Sequence, residues 1–276
     1  LEEIGLLGDN LEVVDKFIHY THGIIFVSGP TGSGKTTTLY SCLTRINSVK
    51  LNVMTIEDPI EYHLPAISQI QVNEKKGLTF ASGLRSLLRQ DPDIMMVGEV
   101  RDTETARIAV QAAQTGHLVF STIHTNDACT VMTRLLDIGI EPYLVASSVL
   151  VAIAQRLVRQ ICPECREAYV PGADELKQLS ELNINPDQLP EGKLLKGKGC
   201  GSCFGSGYQG RTGIYEILPI DESVREMIVE RASANRIKRE AFKGGFRTLR
   251  MDGSDKVVRG MTTMEEVLRV TQLDVL

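Results

Sequence analysis

Eight consecutive residues, Gly29-Pro30-Thr31-Gly32-Ser33-Gly34-Lys35-Thr36, fit the pattern G-x-x-x-x-G-K-[ST], whose chemistry is the cradling of a nucleotide's phosphates. The glycines let successive amide N–H groups turn toward anionic oxygens, and a helix starting at the lysine adds the positive end of its dipole. In such a loop Lys35 reaches the β and γ phosphates, and Thr36 offers its hydroxyl to Mg²⁺, with Thr37 next in the same turn. An apolar run from Ile24 to Val27 precedes the loop and a helical pattern follows it, which is the context the motif requires. ATP is expected rather than GTP, because no N-K-x-D tetrapeptide follows.

Hydrolysis also needs a carboxylate to orient or deprotonate water, and positive charge to meet the charge that develops on the transferred group. The apolar run Ile94 to Val97 leads through Gly98 to Glu99, placing an acid at the end of a buried strand, where open α/β sheets bind ligands. Glu99 is the first choice for the base. Gly98 stands where a Mg²⁺-binding acid is usual, so the ion would rest on Thr36, phosphate and water. Glu57 opens a second acidic stretch, Glu57-Asp58-Pro59-Ile60-Glu61; it is the second candidate, with a solvated acidic turn as the alternative. Arg85 and Arg89 are four residues apart on an expected helix and project from one side of it, either toward phosphate or toward nearby acids such as Asp91 and Asp93. His117 and His124 flank the run Leu118 to Thr122; His124, at the end where ligands bind, is a candidate γ-phosphate sensor.

Four of the six cysteines form two C-x-x-C pairs, Cys162/Cys165 and Cys200/Cys203. Two such turns supply the four thiolates of a tetrahedral, structural Zn²⁺ site with no position left for water. A redox dithiol pair is the alternative. The long loop between the pairs makes the metal a staple that closes an insertion.

The elements that must hold these groups follow from periodicity. Up to about Arg159 the chain alternates apolar runs with helical patterns, the signature of a parallel sheet wrapped by helices. Asn10 is expected to cap a first helix whose face carries Leu11, Val14 and Ile18, and Gly23 to precede the first strand. Further strands are expected over Asn52 to Ile56, Ile94 to Val97 and Leu118 to Thr122, and helices from Thr79 to Gln90 and from Thr103 to Thr115. After Ile161 the composition turns to Pro, Gly and Cys, with one short amphipathic piece around Leu176 to Leu182. Beyond Arg211 come a strand, Ile214 to Leu218, and two or three short helices, including Glu222 to Arg231 and Met264 to Val270. The 276 residues are 42% apolar and 24% charged, with a formal charge of -5 and no apolar stretch near the ~20 residues of a membrane span. Direct membrane insertion is not expected, and the acidic balance gives no global reason to bind nucleic acid.

Taken in order, Gly-Pro-Thr-Gly-Ser-Gly-Lys-Thr, Thr55-Ile56-Glu57-Asp58-Pro59-Ile60-Glu61, Leu88-Arg89-Gln90-Asp91-Pro92-Asp93, Val97-Gly98-Glu99-Val100-Arg101-Asp102, and Thr115-Gly116-His117 through His124-Thr125-Asn126 resemble the secretion ATPase superfamily of type II secretion and type IV pili. The resemblance covers nearly the whole chain. It implies an α/β fold: a RecA-like P-loop ATPase core over 1–160, a four-cysteine zinc-binding module over 161–212 and a mainly helical subdomain over 213–276. It also implies that Glu99 is the catalytic glutamate and that Arg85 and Arg89 approach the γ-phosphate. The expected working form is a homo-hexamer in the cytoplasm, held beneath the inner membrane by secretion or pilus platform proteins. The four cysteines resemble assembly and secretion members rather than retraction members, and Tyr208 to Glu216 leans toward secretion over pilus assembly. The first residue is Leu1, and the resemblance implies a further domain upstream, so weak turnover and poor ring formation are expected of this chain alone. A nucleic-acid translocase and a nucleotide-binding scaffold that recruits partners through its zinc module are the competing readings.

Overall fold

The computed structural model describes residues 1–271, which divide into two compact units: Leu1–Gln155 with Ile217–Phe246, and Arg156–Glu216 with the chain from Arg247 onward. These units do not follow the linear division at 160 and 212. Residues 217–246 belong with the first unit, and the chain from Arg247 onward belongs with the cysteine-bearing segment.

In the first unit, helix α1 (Gly8–Ile18) leads into β1 (Gly23–Ser28), then α2 (Lys35–Ile46), β2 (Val53–Glu57), β3 (Ser68–Gln71), α3 (Phe80–Leu87) and β4 (Ile94–Val97). Next come α4 (Thr103–Gln114), β5 (Leu118–Ile123), α5 (Cys129–Asp137), α6 (Pro142–Ser148) and the long strand β6 (Val149–Ile161), which runs on into the second unit. Helix α1 starts two residues before Asn10, at Gly8, with Leu7 flanking it and no side-chain cap, and it buries Val14 and Ile18. Helix α3 does start after Thr79: the Thr79 hydroxyl accepts from Ser82 N, and Ser82 Oγ accepts from Thr79 N in return, a capping box. Helix α4 begins at Thr103 as expected, with Asp102 as its cap accepting from Thr105 N.

The strand order is β3-β2-β4-β5-β1-β6-β9, with β9 (Tyr208–Pro219) completing the sheet among the described residues. From β3 to β6 every pairing is parallel. Strands β1, β2, β4 and β5 are buried throughout, which is why they read as mainly apolar runs rather than alternating ones. β3, on the edge, is only half-buried. Because the strands are parallel, the segments after β1, β2, β4 and β5 leave from one edge of the sheet, the edge at which ligands bind in such folds.

The second unit contains β7 (Arg166–Tyr169) and β8 (Leu194–Gly197), an antiparallel pair, with α7 (Ala173–Glu181) between them. Helices α8 (Glu222–Val229) and α9 (Ala234–Lys243) return to the first unit, and α10 (Leu249–Val258) and α11 (Met264–Val270) belong to the second. Among the described residues the C-terminal part therefore holds four helices where two or three were expected. Leu179, Leu182, Ile184, Leu189 and Leu194 form a core with Val257, Met264 and Val267. Glu266, buried in this unit, accepts from Arg159 N and Nη2 and from Arg269 Nε and Nη2 at 2.8–3.0 Å. These bonds outweigh its burial and hold the carboxyl at about 2.

Candidate functional site

The phosphate loop joins β1 to α2 across backbone that only glycine adopts readily: Gly29, Gly32 and Gly34 have φ of 148°, 78° and 85°. At Gly29 space is short as well, since a Cβ would meet Ser33 Oγ at 2.5 Å and Gln155 O at 2.6 Å. No side chain caps α2, so its N-terminal end is left facing the hollow of the loop. Lys35, buried, donates its ammonium to Gly29 O at 2.8 Å and Pro30 O at 3.0 Å, so the cation sits over the loop. Ser33 is buried, Thr36 half-buried, and Pro30, Thr31, Gly32 at the loop tip and Thr37 beyond it exposed. One turn on, Thr38 Oγ1 donates to Gln155 Oε1 at 2.7 Å, tying α2 to β6.

β4 delivers Glu99 to the same sheet edge. Ser121 Oγ donates to Val97 O at 2.8 Å and Thr122 Oγ1 to Gly98 O at 2.7 Å, while Val100 N donates to Thr122 O at 2.9 Å. The backbone on both sides of Glu99 is thus pinned to β5. Glu99 is 8% exposed. Its Oε1 pairs with the Arg101 guanidinium. Its Oε2 is buried without a hydrogen bond, and His124 Nε2 lies 3.4 Å from it, within ion-pair distance when the imidazole carries a proton on both nitrogens. An oxygen that no protein donor occupies is open to a water, which is the geometry a general base needs. Gly98 also gains a reason. A Cβ there would lie 3.3 Å from Phe80 Cε1, a tight approach, and 3.4 Å from Glu57 Cα and Ile56 O, close to ordinary contact, so the strand end has little room to spare.

Glu57, last residue of β2, is differently placed. Tyr40 Oη donates to its Oε2, and Thr55 Oγ1 and Gln69 Nε2 donate to its Oε1 at 2.5 and 3.0 Å. Both oxygens are engaged and the residue is buried, so the acidic stretch is not merely a solvated turn at this position. Burial first, and the Glu57 carboxylate second, push the Tyr40 hydroxyl up. The two arginines have different partners. Arg85, in α3, pairs with Glu104 of α4, and Arg89, past the end of α3, donates to Arg85 O and Ser86 Oγ. Among the described residues neither bonds to the phosphate loop, nor to Asp91 or Asp93. Asp93 instead accepts from Asn52 N at 2.7 Å. His117 stands at the opposite end of β5 from His124, where its Nδ1 donates to Ala112 O at 2.9 Å and closes the end of α4.

Sequence reasoning missed Arg101 as the partner of Glu99, and Tyr40, Thr55 and Gln69 as the donors around Glu57. Only Arg101 left a trace: it lies two residues beyond Glu99 in a non-helical segment, a spacing that returns side chains to the same side.

In the second unit Cys162, Cys165, Cys200 and Cys203 gather with all four Sγ atoms within 4.8 Å of one another. Three of the S···S separations are 3.9, 3.8 and 3.7 Å. A tetrahedron of thiolates with Zn–S near 2.3 Å has edges of about 3.8 Å, so the donor set and its size fit Zn²⁺. Backbone amides of Gly199, Cys200 and Gly207 donate to these sulfurs at 3.1–3.3 Å. The Cys200 amide leads in holding the Cys203 thiol at about 6, while burial pushes Cys165 up to about 12. β7 begins at the residue after Cys165 and pairs Arg166 with Gly197 of β8, so the cluster sits at the mouth of the insertion.

A family model described as "Type II/IV secretion system protein" matches residues 1–269. Among curated relatives, the type II secretion system protein E of Pseudomonas aeruginosa is 52% identical over 99% of this chain and 53% of its own length. The type IV pilus assembly ATPase PilB of Thermus thermophilus is 46% identical over 98% of this chain and 30% of its own. Among solved structures, the pilus retraction motor PilT with bound ADP superposes with a TM-score of 0.71 at 29% identity, covering 98% of this chain and 66% of that one. The chain thus spans about half the length of the secretion protein it matches. With a phosphate loop, a buried acid at the neighbouring strand end and a match over nearly all its residues, this chain belongs to the Type II/IV secretion system protein family.

Proposed function

We propose that this chain is the ATP-hydrolysing motor region of a type II secretion ATPase. The observation that carries the proposal is Glu99: a buried carboxylate with one oxygen free of donors, at the sheet edge that also carries the phosphate loop. In this reading the loop from Gly29 to Thr37 binds the phosphates of ATP through its backbone N–H groups, Pro30 having none to give. Lys35 exchanges its carbonyl partners for phosphate oxygens, and Thr36 holds Mg²⁺, whose charge eases transfer to water. Glu99 takes the water's proton at Oε2. His124 senses the γ-phosphate from beside Glu99. Arg85 serves phosphate after leaving Glu104, and Arg89 after leaving the end of α3. Glu57, with both oxygens engaged by Tyr40, Thr55 and Gln69, shapes the acidic stretch and is the second candidate base.

The four cysteines hold a structural Zn²⁺ that closes the insertion between the two cysteine pairs of the second unit. The working assembly is a homo-hexamer on the cytoplasmic face of the inner membrane, held by platform proteins. No helix among the described residues is long and apolar enough to cross a membrane. Type IV pilus assembly is the second reading, supported by 46% identity to the assembly ATPase against 52% to the secretion protein.

ATP turnover tests the reading, measured for this chain dilute and again fused to a ring-forming tag. Turnover that needs Mg²⁺, rises on clustering and is lost with ATP binding in Lys35→Ala is expected. Binding of ATP with no turnover in either state would instead indicate a nucleotide-switched scaffold.

A further inference from the structure

The four sulfurs of the second unit are not equally supported. Cys203 Sγ accepts from Cys200 N and Gly207 N, and Cys165 Sγ from Gly199 N, at 3.1–3.3 Å. Cys162 is wholly buried, with the backbone of its own turn beside it. Among the described residues one side chain from outside the cysteine set bonds to its sulfur: Gln209, whose Oε1 accepts from the Cys162 thiol at 3.6 Å. The start of β9 sets this contact. Gly207 O accepts from Cys162 N at 2.9 Å. Tyr208 then places its ring under the Arg159 guanidinium at 4.1 Å, with its hydroxyl 2.9 Å from Thr263 Oγ1. Side chains alternate along a strand, so Gln209 faces away from Arg159 and toward Cys162.

The polarity of this bond is wrong for a loaded site. Zinc takes cysteine as the thiolate, which has no proton to donate, so Oε1 would then oppose a negative sulfur that burial keeps from water. A half-turn of the terminal amide torsion, which is roughly two-fold, puts Nε2 where Oε1 was. We propose that Gln209 is a positioning residue for the zinc site: on loading, its amide turns over and donates Nε2–H to Cys162 Sγ, supporting the buried thiolate from outside the four ligands. The inference rests on the reading of the four cysteines as a Zn²⁺ site. Gln209 is exposed, so replacing it empties no core.

The test uses the full chain as wild type, Gln209→Leu, Gln209→Glu and Gln209→Lys, each loaded with Zn²⁺ and titrated with a chromophoric chelator to read affinity and the rate of zinc release. Gln209→Leu and Gln209→Glu should lose about 10- to 100-fold in affinity, the scale on which an outer partner supports a metal ligand, and release zinc correspondingly faster. Gln209→Glu keeps the acceptor and the shape of the side chain but no donor, whereas Gln209→Lys keeps only a donor and should stay within about three-fold of wild type. Gln209→Leu or Gln209→Glu within about two-fold of wild type, or Gln209→Lys as weak as Gln209→Glu, overturns the proposal. Far-UV circular dichroism of the four proteins separates folding from binding, and Gln209→Glu against Gln209→Lys decides even where Gln209→Leu fails to fold. A wild-type chain that takes up no Zn²⁺ would overturn the reading of the cysteines on which the proposal stands.

Discussion

Two carboxylates at one sheet edge meet opposite fates because of what donates to them. Glu57 is surrounded by the donors of Tyr40, Thr55 and Gln69, whereas Glu99 keeps one buried oxygen undonated. A third residue, Gly98, is set by space rather than by charge. Substituting Gly98→Ala asks the Phe80 ring to give by a few tenths of an ångström. It should cost about 1–3 kcal/mol, the usual scale of overpacking, read as a lowered urea midpoint with unchanged slope. Gly98→Asp should cost more, without gaining a metal ligand. In the second unit the Glu266 carboxyl, held at about 2 against an ordinary 4.5, gives a pH prediction of definite sign. Its stabilisation is fully present above about pH 4.5 and is lost as pH falls through about 2. The gap in denaturation midpoint between wild type and Glu266→Gln should therefore be constant from pH 7 to about 5 and shrink below that. A gap that widens in acid would refute the assignment.

At the scale of elements, the insertion between the cysteine pairs is held at both ends. β7 and β8 pair at its mouth beside the sulfurs, and its leucines pack with Val257, Met264 and Val267. Zinc removal should therefore loosen this unit without erasing its core. Elemental analysis should find one Zn²⁺ per chain, and chelation or Cys200→Ser should raise hydrogen exchange over 162–207 while α2, β1 and β4 stay protected. The elements legible in the sequence are those with local signals. Thr79 and Ser82 mark the start of α3, the glycines mark the phosphate loop, and mainly apolar runs mark β1, β2, β4 and β5. β6 was not legible, because Val149 to Ile161 begins as an apolar run and continues with alternating polar residues, and a change of environment along one strand mimics two elements. Arg85 and Glu104 meet only because α3 and α4 are neighbours, a tertiary fact that spacing within either helix does not carry.

Across the whole molecule, the break in composition after Ile161 was legible, since Cys, Gly and Pro mark the insertion directly. The return of 217–246 to the first unit was not, because it depends on the order β1-β6-β9, a long-range pairing with no local signature. The proposed function depends on the first unit bringing the phosphate loop and Glu99 to one edge, and that claim has a direct test. ATP binding and Mg²⁺-dependent turnover should be measured for wild type and Glu99→Gln under clustered conditions. Retained binding with turnover reduced by about 100-fold or more, the scale of a lost general base, is the predicted result; a Glu99→Gln protein that turns over ATP within a few-fold of wild type would contradict it.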